Sequence, residues 1–139
     1  MRSLRDQVGK ELTNAVIGGH SYGGRVASMV AAESPPAGLV LMSYPLHRPG
    51  HPAGTSTSTS APAVPSRSEE LRADHWSEIT CPVLLLSGDR DQFARVDLLQ
   101  ASAKRLPRAE LHIYPGMGHG LKQVVDDVAS RIAAFTRGL

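Results

Sequence analysis

Cysteine is nearly absent. The 139-residue chain carries one, Cys81, which excludes an internal disulfide and fits a reducing, cytoplasmic setting. Set before Pro82 at the start of an apolar run, Cys81 reads as a small core residue rather than a reactive thiol. Long apolar runs are missing too, so no span of a bilayer is expected. The opening residues Met1 to Asp6 lack the apolar stretch of a signal peptide. The net charge is only +2. Lysine and arginine form no run and no stripe interleaved with aromatics, so nucleic-acid binding is not expected; an anionic substrate group is compatible with the mild excess. His47 and His51 lie four apart, but among prolines and glycines, so no helix presents them as a metal-binding pair. Gly116-Met117-Gly118 fits neither a phosphate loop nor a dinucleotide fingerprint. No cofactor is implied.

What the chain does have is Gly19-His20-Ser21-Tyr22-Gly23, directly after the apolar run Ala15-Val16-Ile17. This reads as strand, sharp turn and helix, with a serine at the apex, the pattern of a nucleophile elbow. The turn is so tight that a Cβ at Gly19 or Gly23 is expected to meet neighbouring backbone. The serine itself is expected in strained geometry. A hydroxyl at a helix start faces free backbone N–H groups and the positive end of the helix dipole, which favour developing negative charge.

Two further turns share that context. Asp91 ends the stretch Leu84-Leu85-Leu86-Ser87-Gly88-Asp89-Arg90-Asp91. His119 lies in Ile113-Tyr114-Pro115-Gly116-Met117-Gly118-His119-Gly120. A nucleophile, an acid and an imidazole thus occur in the order Ser, Asp, His, each just past a predicted strand.

Between these turns the apolar periodicity alternates. Leu4, Val8 and Leu12 share one face, predicting a helix over 2–13. Strands are predicted at 15–18, 38–43, 82–87 and 110–114. Helices are predicted at 24–33, stopped by Pro35-Pro36, and at 96–106, stopped by Pro107. The last helix, 121–136, carries the stripe Leu121, Val124, Val125, Val128, Ile132 and Phe135, read as packing against a sheet. Residues 44–67 differ: after His47 and His51 comes Thr55-Ser56-Thr57-Ser58-Thr59-Ser60-Ala61-Pro62. This low-complexity stretch predicts a flexible insertion at about 48–67 within a single domain, 1–139. A helix at 69–79 is expected next, with Ser66 and Glu69 spaced as a capping box. The alternation implies an α/β domain, a parallel sheet of about four strands flanked by helices. Sites in such sheets form at the carboxyl ends of strands, where Ser21, Asp91 and His119 all fall.

With these residues the chain resembles the α/β-hydrolase superfamily, whose triad order is Ser, Asp, His. More narrowly it looks like the KANL3/Tex30-like branch, often labelled dienelactone-hydrolase-like. The carrying stretches are 18–28 around the elbow, 38–47 with Ser43-Tyr44-Pro45-Leu46-His47, 71–75, 82–93 and Gly118-His119. The classical dienelactone hydrolases use a cysteine nucleophile, so their substrate does not carry over to Ser21. The superfamily's sheet normally has eight strands, with the elbow after the fifth. Here the elbow follows the first, so the chain corresponds to the C-terminal half of that fold. The resemblance implies that the loop giving a second oxyanion-hole N–H has no counterpart, a loss that typically costs about 10²–10³ in rate. It also implies a bared edge at the strand near Ala15–Ile17, and from that a possible homodimer.

The roles follow. Ser21 would attack an acyl carbonyl. His119 would take and return the proton. Asp91 would hold the imidazole tautomer, with Asp89 as competitor; the family pattern favours the third position after Gly88, which is Asp91. Tyr22 would act through its backbone N–H, or line the acyl pocket. Arg25 is expected in a structural ion pair. The reading is a serine hydrolase of carboxylic esters or related acyl compounds, with a small-molecule acyl substrate as partner and neither nucleic acid nor membrane. Two others stay open: a catalytically silent scaffold of the same fold, and a truncated, non-functional fragment.

Overall fold

The computed structural model describes residues 11–49 and 72–139. The predicted helix at 2–13, the insertion at 48–67 and the capping box at Ser66 fall wholly or largely outside them. Four strands form one parallel sheet: β1 (Val16–His20), β2 (Gly38–Met42), β3 (Val83–Gly88) and β4 (Ala109–Tyr114). Among the described residues it is flanked by α1 (Tyr22–Glu33), α2 (Val96–Ala103) and α3 (Val125–Arg137). The spatial order is β1-β2-β3-β4. Crossovers of one hand between successive strands put their helices on one face. Accordingly α1, after β1, and α2, before β4, share a face, and α3 covers the other.

The continuously apolar strands divide residue by residue between these faces, because strand side chains alternate. Leu39, Leu41, Val83 and Leu85 point into the core with Ala27, Ala31, Trp76 and Leu99. Val40, Leu84 and Leu86 point the other way, toward Leu121, Val128, Ile132 and Phe135. Every residue of β3 is buried, which explains its unbroken hydrophobicity. The outer strand β1 is half open along its length, with Val16 37% exposed. Tyr114, at the end of β4, anchors α3 by donating its hydroxyl to Asp127 at 2.7 Å. Burial, then the Asp127 carboxylate, push that phenol up to about 12.

Several local expectations are corrected. Residues 74–78 form a 3-10 helix, Asp74–Glu78, rather than part of an α-helix; the short turn suffices to drop Trp76 fully into the core. The helix predicted at 96–106 stops at Ala103, and 3-10 turns carry the chain to Leu106. The last helix begins as a 3-10 turn, Lys122–Val124, and becomes α-helical at Val125. Leu121, Val124, Val128, Ile132 and Phe135 keep the expected stripe, while Val125, at the boundary between the two helical forms, is 59% exposed.

Candidate active site

β1 runs to His20, and its ladder to β2 closes with Ser21 N–H donating to Met42 O at 2.8 Å. The chain then reverses at Ser21, with φ 56° and ψ −124°, and α1 starts at the next residue. A non-glycine residue there stores strain on the order of 1–3 kcal/mol. Ser21 is the N-cap of α1, yet its hydroxyl caps no helical amide. It turns instead to His119: Oγ lies 2.7 Å from Nε2. The first α-helical bond is Arg25 N–H to Ser21 O, at 3.2 Å. The amides of Tyr22, Gly23 and Gly24 precede it and have no acceptor within the helix.

Gly19 is required by contact. A Cβ on it would lie 2.5 Å from Gly23 C and 2.6 Å from Gly24 N. The expectation for Gly23 is overturned, since a Cβ there would meet nothing within 4 Å. Gly24 takes that place, its Cβ position lying 2.8 Å from Gly19 O. The helix turns inward at the third residue past the serine, so Gly24 faces β1 while Gly23 faces out.

Asp91 and His119 arrive from the two adjacent strands. Asp91 follows β3 in a turn closed by its own N–H to Gly88 O, at 3.3 Å. Its side chain is completely buried. Oδ1 accepts Phe93 N–H at 2.8 Å, and both oxygens face His119 Nδ1, at 3.0 and 2.9 Å. A carboxylate only accepts, so Nδ1 carries the proton and Nε2 presents its lone pair to Ser21. Asp89 has a different partner: Oδ1 accepts Gly116 N–H at 2.8 Å. The two loops are further zipped by Arg90 N–H to Met117 O, at 2.9 Å. Gly88 permits this approach, as its Cβ would sit 2.1 Å from Met117 O. The structure thus brings Ser21, His119 and Asp91 into one hydrogen-bonded chain and leaves Asp89 outside it.

Two residues that sequence reasoning passed over flank the His119 ring. Phe93 lies with its ring centroid 4.4 Å away. His20, with centroid 5.3 Å away, donates from Nε2 to the His119 carbonyl at 3.1 Å. The only sequence signal for His20 was its place inside the elbow motif.

Tyr22 projects its ring to solvent, 68% exposed. Behind the elbow, Ser28 is buried and donates to Arg25 O at 2.7 Å. It accepts from His75 Nε2, also at 2.7 Å. Tyr44, 3.3 Å from Ser28 Oγ, donates to Arg72 O. Burial lowers the His75 pKa, and Arg25 lowers it further. No carboxylate pairs with Arg25 among the described residues; the burial of Arg72, and after it the Arg25 charge, lower the Arg72 pKa. His47 is buried and structural: Nδ1 donates to Arg48 O at 2.8 Å and Nε2 accepts Arg95 N–H at 3.0 Å. His51 lies outside the described residues. Among the described residues no three His, Cys, Asp or Glu side chains converge as metal ligands, and no helix is long and apolar enough to cross a membrane.

The fold is shared with known structures. A predicted CIB-like hydrolase from Thermoplasma acidophilum superposes with TM-score 0.64 at 20% identity, covering 98% of this chain and 57% of its own. A monoacylglycerol lipase from Paleococcus ferrophilus gives 0.67 at 16%, covering 94% and 72%. An esterase from Pyrococcus furiosus gives 0.65 at 21%, covering 88% and 52%. The chain therefore spans little more than half the length of the Thermoplasma and Pyrococcus proteins. Residues 1–136 match the sequence profile of the alpha/beta hydrolase domain, and with the four-stranded parallel sheet and its flanking helices this chain belongs to the alpha/beta hydrolase domain family.

Proposed function

We propose that this protein is a serine hydrolase of carboxylic esters or related acyl compounds, working through an acyl-enzyme. The observation that carries the reading is the hydrogen-bond chain Ser21 Oγ, His119 Nε2, His119 Nδ1, Asp91, with distances of 2.7 Å and 2.9–3.0 Å. Ser21 Oγ attacks the acyl carbon while its proton passes to His119 Nε2, and the carbonyl π pair moves to oxygen. The Asp91 carboxylate stabilises the imidazolium. The Tyr22 N–H, at the start of α1, faces the developing oxyanion. Collapse expels the alkoxide, which takes the proton from Nε2. Water, deprotonated by the same nitrogen, then releases the acid and frees Ser21.

The narrower KANL3/Tex30-like assignment belongs to the same proposal, supported by the stretches at 18–28 and 38–47. So does a reducing, cytoplasmic setting, supported by one buried cysteine. A homodimer through the open edge of β1 near Ala15–Ile17 completes it. The half-exposed β1 and the apolar side chains that α1 shows to solvent, Val26 and Met29, support that edge as the contact.

A fluorophosphonate probe tests the function. It is expected to label the wild-type protein covalently and to leave Ser21→Ala unlabelled. A folded wild-type sample that takes no label overturns the reading.

A further inference from the structure

We infer that His20 is a positioning residue for His119, holding the imidazole at the distance Ser21 requires. The inference rests on the hydrolase reading above for its consequence and on a separate contact for its geometry.

His20 is the residue before the candidate nucleophile, and His119 stands 99 positions away. β1 and β4, from whose ends the two residues come, are opposite outer strands of the sheet, with β2 and β3 between them. No backbone ladder can tie their ends together. Two side-chain bonds do so. One is Ser21 Oγ to His119 Nε2 at 2.7 Å, the bond in which the proton moves. The other is His20 Nε2 to His119 O at 3.1 Å.

The second bond spares the chemistry. It grips the peptide carbonyl of His119 and leaves both ring nitrogens to Asp91 and Ser21. A carbonyl only accepts, so His20 Nε2 carries hydrogen in every state in which the bond stands. The tie therefore persists when the Ser21–His119 bond is given up to a substrate or leaving group. At that moment the β4 loop keeps its registration to the elbow through the neighbour of the nucleophile. Because His20 and Ser21 are consecutive, a displacement of one loop is transmitted to the other over a single peptide unit.

The test compares His20→Leu, of similar bulk without a donor, with His20→Gln, whose amide N–H can reach the same carbonyl. Three quantities are read: the second-order rate of fluorophosphonate labelling, kcat and KM with p-nitrophenyl acetate, and the ¹⁵N shift of the Gly120 amide, which senses hydrogen bonding at the His119 carbonyl. His20→Leu is expected to slow labelling about five- to tenfold, through kcat rather than KM, and to move the Gly120 resonance. His20→Gln is expected to recover labelling to within about twofold of wild type, on the same hydrogen-bond scale, with the resonance in place. Equal behaviour of the two variants, whether fast or slow, overturns the inference. If the wild type itself takes no label, the hydrolase reading falls, and the Gly120 resonance decides alone: no difference between Leu and Gln overturns the tie. Should His20→Leu fail to fold, His20→Asn, whose shorter amide falls short of the carbonyl, replaces it in the same comparison.

Discussion

Gly24 packs against Gly19 so closely that a side chain on either would press into the other's backbone: 2.8 Å from Gly24 to Gly19 O, 2.6 Å from Gly19 to Gly24 N. This mutual contact, rather than the outward-facing Gly23, sets how tightly the chain can turn at Ser21. Gly19→Ala is expected to cost about 3 kcal/mol or more, by overpacking against rigid backbone. The melting temperature should fall by roughly 10 °C. Gly23→Ala is expected to stay within about 2 °C of wild type, since alanine is the better helix former and has open space. Thermal melts of the two variants check this.

Asp91 and Asp89 separate cleanly by variant. Asp91→Asn removes the carboxylate that fixes the His119 tautomer, and hydrolysis is expected to fall by about 10³–10⁴. Asp89→Asn keeps an oxygen for the Gly116 N–H and should stay within about threefold of wild type, the scale of a weakened neutral hydrogen bond. Fluorophosphonate labelling rates measure both.

His75 makes the fold acid-sensitive. Burial, assisted by Arg25, lowers its pKa in the folded chain, while the unfolded chain protonates at about 6.5. Just below that pH the unfolded state holds more protons, so stability falls as the pH falls. The loss stops once the pH is below the folded value as well. Urea midpoints at neutral and mildly acidic pH should drop more steeply for wild type than for His75→Gln, which keeps a donor for Ser28.

The β1 edge predicts a concentration-dependent dimer. Native mass spectrometry is expected to find it, and Val16→Lys to shift the population toward monomer. A well-folded wild-type monomer at all concentrations contradicts the proposal.

The sheet was legible because its signal is local. Val83 to Leu86 and Leu39 to Met42 are apolar at consecutive positions, and runs that short between glycine and proline suit a strand covered on both faces. Strand-then-glycine turns likewise marked Ser21, Asp91 and His119, and parallel topology alone sends such turns to one end. Contacts between distant, individually ordinary residues were not legible. Nothing near His75 announces Ser28, nor does anything near His47 announce Arg95. The choice between Gly23 and Gly24 depends on which side of α1 meets β1, an angle that a glycine pair does not encode. Val125 left its stripe at the point where the 3-10 turn gives way to α-helix, a boundary that apolar periodicity does not mark.

The close approach of Gly88 to Met117 has a consequence for engineering and descent. The acidic turn and the imidazole turn interlock through backbone, so neither can be exchanged, lengthened or reshaped by itself. A graft into another member of the family must carry both as a matched cassette, and drift in one is tolerated only where the other drifts with it.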